Sequence, residues 1–470
     1  MALSALPFVL CRALTALALA VLVSSQGAGA QEAEGDLSVS VAEAREIAIL
    51  AASEGGNPEF VIELGQALLK ETPGDPLLHY LIAEAQGALG RPGPGRRAAA
   101  RAFRLSETDL GRFQSAELAA RLAFADGRPT TTQLWLRRAA LYAPSEEIEE
   151  RIAEDYARVR RLNPFGLYIR TAVRPSDNVN DGADSALQVI DGIPFTGRLS
   201  GAALALPGTI FDTDISIGYR LRADDRSRTR IGARVYVRRV ALSQEGRKKA
   251  PEIENGDLGY TYSAVSLDHA FAIGKGQGSG RLGLGAGRLW SGGATSQDFI
   301  TVSGGRSWRL GEKTTLALDG SLERQFDALA ALFDATEHAL VAGIDHALAN
   351  GDTLGLSLNL QRTTSDFENS RMRAAALRAV YGFSRPFGPA TVTAGLTLGQ
   401  TDYPDYVAIF EVPGGRRDRS LYGDVNLFFP DFDYAGFAPN LRISTGKRYS
   451  NVSRFESRET SISVGIESKF

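Results

Sequence analysis

Apolar and polar positions alternate with a period of two, segment after segment, from about Gly166 to the end of the chain. In residues 213–222, Ile215, Ile217, Tyr219 and Leu221 project to one side, while Asp214, Ser216, Gly218, Arg220 and Arg222 project to the other. Residues 231–238 repeat the pattern, and residues 354–361 set Leu354, Leu356, Leu358 and Leu360 against Gly355, Ser357, Asn359 and Gln361. Such rows predict strands with one greasy and one wet face, a pattern that an antiparallel sheet in water and a transmembrane β-barrel share.

The connections separate the two. Strands placed near Leu167, Asp212, Thr229, Gly259, Gly280, Phe299, Thr314, Thr336, Thr353, Arg371, Ala390, Ser420, Phe437 and Glu459 number about 14, and every second connection is tight. Residues 223–227, 274–279, 310–313, 350–352 and 385–389 read as periplasmic turns, and the mostly longer intervening segments as extracellular loops. Residues 197–206 are assigned to the long first loop, because counting them as a strand would invert the parity of everything after them. On the last strand Ile462, Val464, Ile466 and Phe470 share an outward face, which makes them a barrel-assembly signal as well as packing residues.

Ahead of the strands the period changes. Residues 41–161 are rich in Ala, Leu, Arg and Glu at helical spacing. Gly90-Arg91-Pro92 recurs as Gly127-Arg128-Pro129, and residues 61–76 read as the second helix of a further unit with its exit turn. Helix pairs repeating near the tetratricopeptide (TPR) period predict a short curved solenoid, with an ordinary helical bundle as the alternative. Arg96, Arg97, Arg101 and Arg104 are read as a solvated helix face. Asn163-Pro164-Phe165-Gly166 ends the helical part just before the first strand.

Residues 13–23 are apolar but too short to span a bilayer, follow Arg12, and precede the small-residue site Ala28-Gly29-Ala30. The expected organisation is a signal peptide (1–30), a mature N-terminal segment (31–40), a periplasmic TPR-like helical domain (41–163) and a transmembrane β-barrel (164–470). Cys11 is the chain's only cysteine and lies in the signal peptide, so thiol chemistry and Cys-based metal sites are excluded from the mature part. The net charge of −3 adds little.

Catalytic chemistry is not indicated. Asp268-His269 and Asp345-His346 are strand neighbours pointing to opposite faces, so neither Asp can orient its own His. Residues 283–287 are Gly-rich but lie in a strand without a following helix, unlike a nucleotide loop. No enzyme activity, metal, cofactor or nucleic-acid partner is expected. Arg170, Arg174, Arg220, Arg222, Arg234 and Arg238 cluster on the inward rows of the first three strands. They read either as a basic lumen wall or as a plug of ion pairs with Asp214 or Asp424.

The union of TPR-like helices with a C-terminal barrel resembles the surface lipoprotein assembly modulator (Slam) family. The resemblance covers nearly all of the mature chain. It rests most on Pro175-Ser176-Asp177-Asn178-Val179-Asn180, and on the stretch from Arg416-Arg417-Asp418-Arg419 through Gly436-Phe437-Ala438-Pro439 and Tyr449-Ser450-Asn451-Val452 to Lys469-Phe470. It implies an outer-membrane translocon that exports client proteins or displays them as surface lipoproteins, with Pro175, Asn178, Asn180, Pro439, Ser450 and Asn451 as family-motif positions. The implied partners are the client, periplasmic chaperones, the barrel assembly machinery and membrane lipid. The seam between first and last strands would open during export. An exopolysaccharide-secretion porin with a TPR scaffold and a general diffusion porin are the alternatives.

Overall fold

The computed structural model describes residues 40–53, 57–192, 197–432, 434 and 437–468. The expected signal peptide, most of the 31–40 segment, Gly436, Lys469 and Phe470 lie outside the described residues.

Seven helices come first: α1 (Val41–Ser53), α2 (Pro58–Glu71), α3 (Pro76–Ala88), α4 (Pro92–Leu105), α5 (Asp109–Ala125), α6 (Pro129–Ala140) and α7 (Glu146–Leu162). Their starts are written in the sequence. Asn57, Asp75, Thr108 and Ser145 each accept a backbone N–H of the first turn, and proline occupies the opening position of α2, α3, α4 and α6. The two Gly-Arg-Pro turns are superimposable in their bonding. Gly90 and Gly127 both have φ of +67°, where a side chain is strained, and the following Arg N–H reaches back to Gln86 O at 2.9 Å and to Ala123 O at 3.0 Å. The helices therefore recur as hairpins in series, each packed on the next. Buried Ala83, Ala99, Ala116, Ala119 and Ala123 let them approach closely, and a Cβ on Gly95 would sit 2.9 Å from Ala83 O.

The strands follow: β1 (Phe165–Ser176), a small hairpin of β2 (Leu187–Gln188) and β3 (Gly197–Arg198), then β4 (Gly208–Ala223) and β5 (Ser227–Leu242), the short helix α8 (Gln244–Lys249), β6 (Tyr260–Ile273), β7 (Gly278–Ser291), β8 (Ala294–Arg309), β9 (Thr314–Asp327), β10 (Ala335–Ala347), β11 (Thr353–Ser365), β12 (Met372–Gly382), β13 (Thr391–Tyr403), β14 (Arg416–Phe428), β15 (Phe437–Ser450) and β16 (Ser457–Ser468). β1 and β4 to β16 close into one antiparallel barrel of 14 strands, in which β1 meets β16. Residues 197–206 stay out of the wall, since β3 pairs only with β2. The shortest connection lies at the loop end: Gly292 and Gly293, both at positive φ, join β7 to β8 directly.

The outward rows are apolar, with Leu356, Leu358, Leu396, Leu398, Ile462 and Val464 all exposed around the wall. A side chain exposed on the outer face of a closed barrel needs hydrocarbon rather than water to be stable there. No helix among the described residues is long and apolar enough to cross a membrane; the crossing is made by strands.

At the short-turn end, Asp352 closes the β10–β11 turn by accepting Ser384 N (2.8 Å), Ser384 Oγ (2.8 Å), Asn350 Nδ2 (2.7 Å) and the Tyr381 hydroxyl. The Ser384 N–H, with the Tyr381 and Ser384 hydroxyls, holds this carboxyl down to about 2, against an ordinary 3.8. A depressed pKa stabilises the fold above the unfolded value and loses that contribution as the pH falls through the folded one. Urea midpoints measured between pH 5 and 2 should therefore fall between about pH 4 and 2, and fall less in Asp352→Asn; equal slopes would refute the assignment.

Candidate functional site: the lumen wall and the closing seam

The junction with the helices is built on Asn163, which follows α7. Its side-chain amide donates to Gln133 Oε1 (2.6 Å) and Thr130 Oγ1 (3.1 Å), while its Oδ1 accepts Phe165 N at the start of β1 (3.0 Å). Arg220, at the lower end of β4, donates to the carbonyls of Arg161 (3.0 Å) and Leu162 (2.8 Å), satisfying the free C-terminal carbonyls of α7. The Arg137 guanidinium lies 4.9 Å over the Phe437 ring at the foot of β15. These contacts hold the helices against the short-turn mouth of the barrel.

Inside, Arg170, Arg174, Arg238 and Arg442 line a cavity of about 350 Å³ together with Asp212, Asp214 and Tyr236. Arg234 grips Asp214 through two bonds (2.9 and 2.7 Å), and Arg238 grips Asp212 (2.8 and 3.3 Å), which also accepts the Tyr236 hydroxyl (2.6 Å). Across the wall Asp424 receives both Arg378 (2.9 Å) and Arg442 (3.3 Å). Arg170 stands opposite Asp214 in the β1–β4 register. On this wall Arg234, Arg238, Arg378 and Arg442 are each paired with a carboxylate, so most of its basic charge is opposed.

Of the six arginines expected on that wall, Arg220 keeps the inward row opposite Arg230, at the mouth, and Arg222 leaves it. Arg220 is spent on the α7 carbonyls. A bulge between Arg220 and Arg222 sets Arg222 opposite Thr229, whose hydroxyl bonds outward-row His269 (2.9 Å), so simple alternation no longer carries Arg222 inward. His346 makes the same cross-strand bond to Thr314 Oγ1 (2.8 Å), while Asp268 accepts Ser266 Oγ on the opposite face of its strand.

The closing seam differs from every other junction in the wall. β1 pairs with β4 at 12 consecutive positions from Phe165 to Ser176, but with β16, among the described residues, at 5. The ladder runs from Arg170↔Glu467 to Val173↔Val464, breaks at Arg174 and Pro175, and resumes at Ser176↔Ser461. Pro175 has no N–H to give. Side chains cover the gap: Arg174 pairs with Glu459, and Ser176 Oγ lies 3.5 Å from the same carboxylate. Gly465 permits the backbones to close, since a Cβ there would lie 2.4 Å from Thr171 O.

The first long loop, residues 177–207, straps this seam from above. Asn178 exchanges two bonds with Gly182 (2.8 and 2.9 Å), and Asn180 bonds Ala202 O, Leu204 O and Leu206 N, folding the loop on itself. The loop then reaches past β1 onto the upper ends of β14 to β16. Asp181 takes both Arg448 guanidinium nitrogens (3.0 Å each), Asp184 accepts Arg458 N (2.7 Å), and Val189 and Ser453 bond each other twice (2.7 and 2.8 Å). Asn451 accepts Arg417 N (2.7 Å), donates to Gly415 O (2.8 Å) and through its own carbonyl receives Asp191 N (2.9 Å). Ser450 Oγ accepts Val452 N (3.1 Å). Five of the six motif positions thus meet at the strap and its landing site. Pro439 stands apart, near the foot of β15 opposite Ile466. Ile462, Val464 and Ile466 project outward from β16, about half exposed.

Asp181, Asp184, Arg448 and Ser453 carry much of the strap, and no local pattern marks them, because their partners lie more than 260 positions away.

No protein-family model matches the chain, and no curated protein matches it. Among solved structures it is similar to a loop-deletion form of OmpT, an outer membrane protein of Vibrio cholerae (8% identity, 65% of this chain and 99% of that one, TM-score 0.34). It is similar also to OprB of Pseudomonas putida (8% identity, 67% and 96%, TM-score 0.39). The type III secretion translocator chaperone SycD of Yersinia enterocolitica is a third match, at 15% identity, 26% of this chain, 88% of that one and a TM-score of 0.24. On its own topology, the chain is an outer-membrane β-barrel of 14 antiparallel strands preceded by a series of helices.

Proposed function

We propose that the protein is an outer-membrane translocon, which passes client proteins, surface lipoproteins or related secreted proteins, from the periplasm to the cell surface. In this reading the helical hairpins form a TPR-like periplasmic domain that receives the client or its chaperone at the barrel mouth, and the charge-paired lumen and seam let it through. Phe470, with Ile466, Val464 and Ile462, addresses the barrel to its assembly machinery. The observation that supports this reading is the β1–β16 ladder, which among the described residues is the shortest in the wall and is broken at Arg174 and Pro175. Unpairing backbone groups in lipid costs several kcal/mol each, so a wall that opens should open where fewest bonds are lost.

The test locks it. Thr171 and Ile466 face each other across the seam, and the mature chain has no native cysteine to interfere. Oxidising Thr171→Cys/Ile466→Cys should lower protease-accessible client on intact cells at least tenfold, with recovery on reduction. Undiminished display by a fully cross-linked barrel would sink the seam mechanism. Unchanged display after deletion of the whole gene would sink the export role itself.

A further inference from the structure

The outer face changes character at the loop end. On β11 to β16 the outward rows carry Arg362, Arg373, Arg417, Arg419, Lys447 and Arg458. Their row-mates fix the face: Arg362 continues Leu356, Leu358 and Leu360; Arg417 and Arg419 lead into Leu421; Arg458 leads into Ile462 and Val464. Strand pairing gathers them, since Arg362 stands opposite Arg373, and Lys447 opposite Arg458. Neighbouring strands are about 4.8 Å apart, so side chains on adjacent rows can grip one ligand group together. Five of the six are exposed and Lys447 is half-buried, 4.3 Å from the Tyr449 ring centre.

Charge pairing distinguishes this patch from the inner wall and from the outer side of β7 and β9. Arg174, Arg234, Arg238, Arg281, Arg378, Arg442 and Arg448 on the inner side all have carboxylate partners. On the outer side of β7 and β9, Arg288 and Arg324 are neutralised by Asp298 and Asp334. None of the six side chains on β11 to β16 has a salt bridge or side-chain hydrogen bond among the described residues. Asp402 is the single acidic residue on the outward rows of those strands among the described residues. Cations held where hydrocarbon gives way to headgroups are stable only if the headgroup supplies the counter-charge, and guanidinium groups match phosphate oxygens two at a time.

We propose that this basic outer face binds the phosphate groups of a phosphorylated glycolipid of the outer leaflet, lipopolysaccharide in chemical class. The inference rests on the orientation adopted above, with the helices in the periplasm. Full-length protein in detergent would be offered lipopolysaccharide, its chemically dephosphorylated form, or phosphatidylglycerol, and bound lipid read by native mass spectrometry; heat-modifiable gel mobility would verify the fold. Arg417→Ser/Arg419→Ser/Arg458→Ser should retain at least tenfold less lipopolysaccharide, the matching triple Lys variant should fall between it and the wild type, and the dephosphorylated lipid should bind no better to the wild type than lipopolysaccharide does to the Ser variant. If the triple Ser variant does not fold, Arg362→Ser/Arg373→Ser reads the same patch. Equal retention by a folded Ser variant, or equal binding of the dephosphorylated lipid, would overturn the proposal. Preference for phosphatidylglycerol would overturn it too, through the orientation, whereas the seam cross-link reads export independently.

Discussion

Val464→Arg is expected to leave little assembled protein in the outer membrane. Val464 projects from the middle of β16 with its side chain 57% exposed on the outer wall, beside Val173 of β1 and Leu441 of β15. An arginine on the lipid face near the bilayer centre costs about 2–4 kcal/mol. Here the cost falls on the strand that must complete the closure, where the ladder among the described residues is shortest. Loss of the heat-modifiable band on unboiled gels measures it. Ser463→Asp is the control: Ser463 faces the lumen cavity near Arg170 and Arg442, and its variant should assemble normally. Equal assembly of both variants would show that this side of the ribbon does not face hydrocarbon.

Gly465→Val should loosen the seam selectively. Its Cβ would lie 2.4 Å from the backbone oxygen of Thr171, a contact that needs β1 to move away from β16, and 2.8 Å from Asn440 Oδ1 on β15, which side-chain rotation can relieve. Overpacking of this kind costs about 1–3 kcal/mol. A cost of about 2 kcal/mol, concentrated at one junction, should speed amide exchange of residues 170–173 roughly thirtyfold while leaving the β4–β5 ladder unchanged. Uniform acceleration around the barrel would mean that the strain spreads and the seam is not a separate weak point.

Much of this fold could be read from residues. The alternation found a segment for each barrel strand because one face must be apolar in every one of them. The repeated Gly-Arg-Pro turns were legible because proline and positive-φ glycine leave little choice of backbone. Reading failed where geometry departs from alternation. One extra residue at the Arg220–Arg222 bulge turns Arg222 out of the expected row, and no residue type announces a bulge. The two-residue Gly292-Gly293 turn likewise sits at the end where loops are otherwise longer. The strap was invisible for a different reason. Asp181 and Arg448 are 267 positions apart, and a charge in a loop says nothing of its partner. The motif residues Asn178, Asn180 and Asn451 could be singled out only by resemblance; their bonding shows that they shape the loop and its landing site.

The twin turns at Gly90 and Gly127 also bear on how such a chain can change length. They lie 37 positions apart with the same φ of +67° and the same turn bonding, so the helical arm repeats one hairpin turn. Inserting or removing one whole helix pair would lengthen or shorten the arm. The α7 anchor at the barrel mouth would stay as it is.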